Sequence, residues 1–99
     1  MPSQVLFRES LGSVLRAERM RRGMTLRELS ARARISLGYI SEVERGQKEA
    51  SSELLWSLCE ALELPLSSVL REVSDEVAVA EELAGVVSVP SGDVVASAA

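Results

Sequence analysis

Side chains that can bind an anion occur along residues 27–48. Arginine, lysine, tyrosine and amide side chains commonly donate hydrogen bonds to phosphate oxygens. We therefore expect phosphate binding in this segment, with Arg27, Tyr39, Arg45, Gln47 and Lys48 as the candidate donors. For each of these residues taken alone, a solvated surface position is the alternative.

The net charge of −4 is distributed unevenly along the chain. Residues 1–48 contain ten basic and five acidic side chains, a net charge of +5. Residues 49–99 contain one basic and ten acidic side chains, a net charge of −9. A locally positive surface attracts phosphate even when the whole protein is acidic, so the N-terminal half is suited to a polyanionic ligand.

The composition argues against an enzyme. The chain contains no histidine, which excludes catalytic triads and acid–base chemistry that depend on histidine. Its single cysteine, Cys59, lies in an apolar segment, where inert packing in a reduced protein is expected. We expect no catalysis, no cofactor and no metal. We also expect neither a membrane span nor a secretion signal, and a cytoplasmic, nucleoid-associated protein.

The spacing of apolar and capping residues predicts helices throughout the first two thirds of the chain. Thr25 and Glu28 form a capping-box pattern at the start of the second helix. The first predicted helix runs from about Glu9 to Arg22, and its inward residues are Leu11, Val14, Leu15 and Met20. The next two run from Thr25 to about Ala33 and from Ser36 to about Arg45. A fourth begins at Ser51 or Ser52 and is stopped by Pro65, and a fifth begins at a Ser67 cap.

Apolar residues in the last predicted helix alternate at spacings of four and three. They are Leu66, Leu70, Val73, Val77, Ala80 and Ala84. Such a stripe packs either on the core of its own domain or on a second chain. Residues 66–84 are therefore a candidate dimerisation segment, and residues 85–99 are predicted to be a flexible tail.

The chain combines four short motifs: Gly23-Met24-Thr25, Glu28-Leu29, Ile40-Ser41 and Glu44-Arg45-Gly46. Through this combination, residues 9–72 resemble the Cro/CI-type helix-turn-helix family of DNA-binding domains. The resemblance implies an all-α, lambda-repressor-like domain of five helices, with an additional C-terminal dimerisation helix as an option. It also implies that helix 36–45 enters the major groove of duplex DNA.

The resemblance implies roles for individual residues. Leu37, Gly38 and Ser41 would lie nearest the base edges, and Arg19 would form a structural ion pair with Glu44. Leu37 is suited to a thymine methyl group; Gly38 suits close approach of the backbone to DNA or is a tolerated weak point in the helix. The full implied DNA-binding set is Arg27, Arg34, Ser36, Leu37, Gly38, Tyr39, Ser41, Glu42, Arg45, Gln47 and Lys48. Glu42 could accept from a cytosine amino group or be merely solvated.

Three positions depart from the family pattern. Leu26 replaces a frequent glutamine, and both Arg34 and Glu63 replace a frequent glycine. Arg34 would carry backbone strain if it is left-handed, and could gain a DNA contact. These departures affect the contacts more than the fold.

A narrower resemblance is to the actinobacterial activators of Clp protease genes, through SLGYISEVERGQKEASSELL, the acidic final helices and the Ala-rich end. It implies a homodimeric activator of protease and stress genes that binds a pseudo-palindromic site, with RNA polymerase and Clp protease as further partners. Ala98-Ala99 would then be a degradation signal, or otherwise an uninformative end. The alternatives are a repressor of the same fold, a protein-docking module that has lost DNA binding, or a toxin antidote.

Overall fold

The structure is a computed structural model that describes residues 6–85, and within this range it contains five α-helices and no strand. The helices are α1 (Phe7–Arg21), α2 (Leu26–Ala33), α3 (Leu37–Glu44), α4 (Ser52–Ala61) and α5 (Leu66–Leu83). The predicted all-α class is confirmed. Residues 86–99, with most of the predicted tail and the Ala98-Ala99 signal, lie outside the described residues.

A single apolar core joins all five helices. Helix α1 packs on α3 and α5, α2 packs on α3 and α4, and α4 also packs on α5. The core consists of Leu11, Val14, Leu15, Leu29, Ile35, Ile40, Val43, Leu55, Leu58, Cys59, Ala61, Leu62, Val69 and Val73. Helix α3 is therefore supported from behind by α1 and α2, which fixes the direction of its outer face.

The start of α2 agrees with the sequence prediction. The Glu28 amide donates to Thr25 Oγ1 at 3.0 Å, and the Thr25 amide donates to Glu28 Oε1 at 2.8 Å. These reciprocal bonds satisfy amides that have no partner inside the helix. At the end of α1, Gly23 has φ +63°, the left-handed conformation expected of a glycine after a helix.

The inward face of α1 differs from the prediction at one position. Met20 was predicted to point inward, but it is 58% exposed. Glu18 is buried instead, because it lies three residues after Leu15 and four after Val14 on the same face. The helical period therefore places position 18, and not position 20, on the inward face of α1.

Helix α5 also corrects the sequence prediction. Ser67 does not cap it: the helix begins at Leu66 directly after Pro65, and no side chain caps it. Pro65 has φ −65° and ψ 138°, so the chain passes directly into the helix and Ser67 already lies in its first turn. Residues 66–83 form one continuous helix, so within the described residues there is no additional dimerisation helix after the fifth.

The apolar stripe of α5 is turned partly inward. Val73 is 3% exposed and belongs to the core, together with Val69, which the predicted stripe omitted. Val73 therefore packs within its own chain rather than on a second one. Leu66 and Val77 are partly buried against the same core. Leu70 is exposed, whereas Ala80 and Ala84 are half-buried.

Candidate DNA-binding interface

A shallow depression of about 570 Å³ lies over the outer face of α3. Its lining residues all belong to the implied DNA-binding set: Ser36, Leu37, Gly38, Tyr39, Ser41, Glu42, Arg45 and Lys48. Three members of that set do not line it. Gln47 is hydrogen-bonded to Arg45 and so adjoins the depression, whereas Arg27 and Arg34 are exposed elsewhere on the surface.

The two faces of α3 have different roles. Ile40 and Val43 are each 1% exposed and anchor the helix in the core. Ser36 caps the N-terminus by accepting a hydrogen bond from the Tyr39 amide at 3.1 Å. This cap stabilises the first turn of α3 in the free protein, and Leu37 and Gly38 in that turn are exposed.

Polar side chains on the outer face of α3 contact one another. Arg45 Nη1 donates to Ser41 Oγ at 2.6 Å, and Arg45 Nη2 donates to Gln47 Oε1 at 3.4 Å. Both acceptors are neutral, so the charge of the guanidinium is not compensated by them and is available to a phosphate. Lys48 Nζ lies 3.9 Å from Glu42 Oε1, a loose and largely exposed ion pair.

The segment between α3 and α4 is attached to both α1 and α3. Tyr39 Oη donates to the carbonyl oxygen of Glu49 at 2.6 Å. Arg8 Nε donates to the carbonyl oxygen of Gly46 at 3.0 Å, and Arg8 Nη1 lies 3.4 Å from Glu49 Oε2. These contacts hold the segment that carries Gln47 and Lys48. Sequence reasoning did not identify Arg8, because its partners lie about forty residues away and no local pattern signals them.

Arg19 and Glu44 are joined by a bidentate ion pair. Arg19 Nε donates to Glu44 Oε2 at 2.8 Å, and Nη2 donates to Oε1 at 2.9 Å. A third donor, Nη1, bonds to the carbonyl oxygen of Met24 at 2.8 Å. The side chains of Arg19 and Glu44 are only 12% and 5% exposed, and the Glu44 carboxylate raises the pKa of the Arg19 guanidinium. The pair ties α1 to the last turn of α3 and to the start of the helix-turn-helix segment.

Gly12 of α1 packs closely against the backbone at the end of α3. A Cβ atom built on Gly12 would lie 2.7 Å from the carbonyl oxygen of Glu44 and closer still to that of Val43. A residue with a side chain would push the two helices apart. Gly12 was missed by sequence reasoning, because a glycine inside a helix by itself signals only reduced helix propensity.

A second charged cluster joins α1 to α5. Buried Glu18 pairs with Arg21 and Arg22, and Arg21 Nη2 also lies 3.3 Å from Glu72 Oε1. Hydrogen bonding with the Glu72 carboxyl and with the two arginines lowers the pKa of Glu18 to about 2. The same contact between the two carboxyl groups raises the pKa of Glu72. None of these four residues lines the depression over α3, so we assign the cluster a structural role.

Arg34 and Glu63 adopt the strained conformation that their positions demand. Their φ angles are +59° and +56°, at positions where a glycine is conformationally easier. Arg34 ends α2, and its amide donates to the carbonyl oxygen of Ser30. Its left-handed backbone is thus part of the turn between α2 and α3.

Two other classes of site find no support in residues 6–85. No helix there has the length and apolar character needed to cross a membrane. In the same range no three His, Cys, Asp or Glu residues are grouped to hold a metal ion. Burial raises the pKa of the Cys59 thiol, which suits a packing role.

Two short helices joined by a tight turn, the second with an exposed face and an anchored back, define the helix-turn-helix class of proteins. A comparison with protein families matches residues 15–69 to the family described as Helix-turn-helix, and this chain belongs to that family. It is 58% identical over 79 residues to the transcriptional regulator ClgR of Mycobacterium tuberculosis, an alignment that covers 80% of this chain and 70% of that protein.

Solved structures of helix-turn-helix proteins also match this chain. The crystal structure of the clp gene regulator ClgR from Corynebacterium glutamicum matches with 48% identity and a TM-score of 0.77, over 85% of this chain and 93% of that one. The restriction–modification controller protein C.Esp1396I, as a tetramer with its 35 base-pair operator, matches with 20% identity and a TM-score of 0.70, over 76% of this chain and 99% of that one. This more distant likeness shows the fold alone.

Proposed function

We propose that this protein is a sequence-specific, homodimeric DNA-binding transcription regulator, and that it activates Clp protease genes. The observation that carries the proposal is the depression on α3, whose lining residues all belong to the implied DNA-binding set. The assignment to Clp protease genes rests on the similarity to proteins named ClgR in two actinobacteria. A repressor acting at the same genes is the alternative, because the sign of regulation depends on the position of the operator.

The geometry of α3 suits the major groove of B-DNA, which is wide enough to admit an α-helix. Gly38, Ser41 and Arg45 follow one another at spacings of three and four along its outer face. Lys48 and Gln47 follow at the C-terminal end of the helix, where they can contact the phosphates flanking the groove. We assign base contacts to the first turns of α3 and backbone contacts to Arg27, Tyr39, Arg45, Gln47 and Lys48, with Arg34 as a further contact from the turn.

A homodimer is proposed through the surface formed by α4 and the start of α5. Trp56, Leu64 and Leu66 line a small apolar hollow of about 160 Å³. Trp56 is 56% exposed, and exposed Leu70 lies one turn after Leu66. Large apolar side chains grouped on a surface are typical of protein–protein contacts. This surface modifies the predicted segment 66–84: it adds Trp56 and excludes Val73.

DNA binding is tested by measuring the affinity for duplex DNA at increasing salt concentration. A protein that neutralises several phosphates loses about 10³–10⁵ in affinity between 50 and 200 mM salt. Lys48→Ala is expected to weaken binding to all sequences similarly and to reduce the salt slope by about 1. An affinity that is insensitive to salt would favour the alternative of an apolar protein-docking module.

The dimer is tested by sedimentation of the Trp56→Glu variant. We expect a monomer with an unchanged helical CD spectrum and a much weaker affinity for a two-half-site DNA. Ser74→Glu, on an exposed position of the same helix pair, is the matched control and should remain dimeric. A dimer that survives Trp56→Glu would place the interface elsewhere.

Further partners follow from the narrower resemblance. We propose that the protein works in the cytoplasm at the nucleoid, that it contacts RNA polymerase when it activates, and that Ala98-Ala99 mark it for Clp proteolysis. Replacing Ala98-Ala99 by Asp-Asp should lengthen its half-life in cells. An unchanged half-life would exclude the degradation signal without affecting the DNA-binding proposal.

A further inference from the structure

Glu42 is an unusual residue for a surface that faces DNA. Among the described residues that line the depression, it supplies the single carboxylate. Its side chain is 39% exposed. A carboxylate beside DNA phosphates is electrostatically unfavourable, so a position on this face calls for a compensating interaction.

The space in front of Glu42 is open. Gly38 lies four residues earlier on the same face, and helical side chains lean toward the N-terminus of their helix. A Cβ atom built on Gly38 would meet nothing within 4 Å. The fold therefore does not require glycine at this position. The missing side chain leaves room for the Glu42 carboxylate to reach over the first turn of α3, where a base edge would enter.

The chemistry of a carboxylate selects one base. A carboxylate accepts hydrogen bonds, and cytosine presents its N4 amino group as a donor in the major groove. Adenine also presents an amino group, but beside the N7 acceptor, which repels a carboxylate. Lys48 Nζ lies 3.9 Å from Glu42 Oε1, close enough to reduce the repulsion between Glu42 and the DNA backbone.

We propose that Glu42 is a specificity-determining residue that accepts a hydrogen bond from a cytosine N4 amino group in each half-site, in the space left by Gly38. This inference rests on the proposed DNA-binding function. It predicts a G·C pair in the half-site at the position that faces the first turn of α3.

The test compares Glu42→Met with the wild-type protein on two DNAs: the operator recovered by selection and a duplex of random sequence. Methionine keeps the length of the side chain, but it removes both the charge and the carboxylate oxygens that would accept the hydrogen bond. We expect the affinity for random DNA to rise, because repulsion is lost, and the affinity for the operator to fall. The ratio of the two affinities should drop roughly tenfold, since one contact to a base is lost.

Glu53→Met is the matched control, because it makes the same substitution at an exposed residue that does not line the depression. It should change both affinities by the same factor. A second probe replaces the cytosine by pyrimidin-2-one, which lacks the amino group. The wild-type protein should lose affinity for this operator relative to the unmodified one, whereas Glu42→Met should bind both equally.

Two results would overturn the inference. If Glu42→Met raises both affinities equally while its melting temperature is unchanged, Glu42 is a solvated carboxylate. If the wild-type protein is insensitive to pyrimidin-2-one at every cytosine, no amino group is recognised. Failure of the folded wild-type protein to bind any duplex would instead overturn the proposed function itself.

Discussion

Substituting Gly12 by alanine should destabilise the domain, although alanine is the better helix former. The added Cβ would lie 2.7 Å from the Glu44 carbonyl oxygen and 2.9 Å from the Glu44 carbonyl carbon, and closer to the Val43 oxygen. Close carbon–oxygen contacts in proteins are normally about 3.3–3.6 Å, so α1 and α3 would have to separate by roughly 1 Å. The obstructing atoms are backbone, and a rotamer change cannot relieve the contact.

The magnitude follows from two opposing effects. Overpacking of this kind costs about 1–3 kcal/mol, and the upper end applies because the contact is with backbone. Replacing glycine by alanine within a helix stabilises by about 1 kcal/mol. We therefore expect Gly12→Ala to lower the free energy of unfolding by about 2 kcal/mol and the melting temperature by about 8–16 °C.

Gly38→Ala is the matched control for this experiment. It makes the same substitution within a helix, but at a position where the new Cβ meets nothing within 4 Å. It should raise the melting temperature by about 4–8 °C, the effect of helix propensity alone. Thermal unfolding followed by far-UV CD measures both variants. If Gly12→Ala is as stable as the wild type, or is stabilised like Gly38→Ala, the close packing of α1 on α3 is not as described.

Three further substitutions test other parts of the structure. Arg19→Ala should lower the free energy of unfolding, measured by urea denaturation, by about 3–5 kcal/mol, because it leaves the Glu44 carboxylate buried without its partner. An unchanged free energy of unfolding would contradict the structural role of this ion pair. Arg34→Gly should raise the free energy of unfolding by about 1 kcal/mol, because glycine adopts the left-handed backbone without strain. A lower free energy of unfolding would show that contacts of the Arg34 side chain stabilise the domain by more than the backbone strain costs. Glu18→Gln should weaken the acid dependence of stability. The pKa of Glu18 is lowered on folding, so its contribution to the free energy of unfolding is complete above about pH 5 and is lost as the pH falls toward 2. If the free energy of unfolding falls equally steeply with pH in the variant and the wild type over this range, the ion pairs of Glu18 do not stabilise the domain.

Local sequence signals located the helices well. The Thr25–Glu28 capping box and the Ser36 cap are present as predicted, since capping depends on residues three positions apart. The left-handed Arg34 was anticipated because a glycine is usual at its position. The family resemblance implied a set of DNA-binding residues on and around α3. Most of them line one depression, because they lie on one short helix and on the segment that follows it.

Long-range packing could not be predicted in the same way. The burial of Glu18 depends on arginines beside it and on Glu72 of another helix. The requirement for glycine at position 12 arises from a carbonyl group more than thirty residues away. The inward orientation of Val69 and Val73 depends on where α1 lies against α5, which the spacing of apolar residues alone leaves open.

The central claim, that α3 recognises specific DNA sequences as part of a dimer, is tested most directly by enriching random duplex DNA with the folded protein at moderate salt and sequencing the product. We predict an inverted repeat with half-sites about 34 Å apart along the helix axis, one turn of B-DNA. Recovery of a single half-site would contradict the dimer. A folded protein that enriches no sequence would contradict sequence-specific DNA binding and favour a protein-docking module.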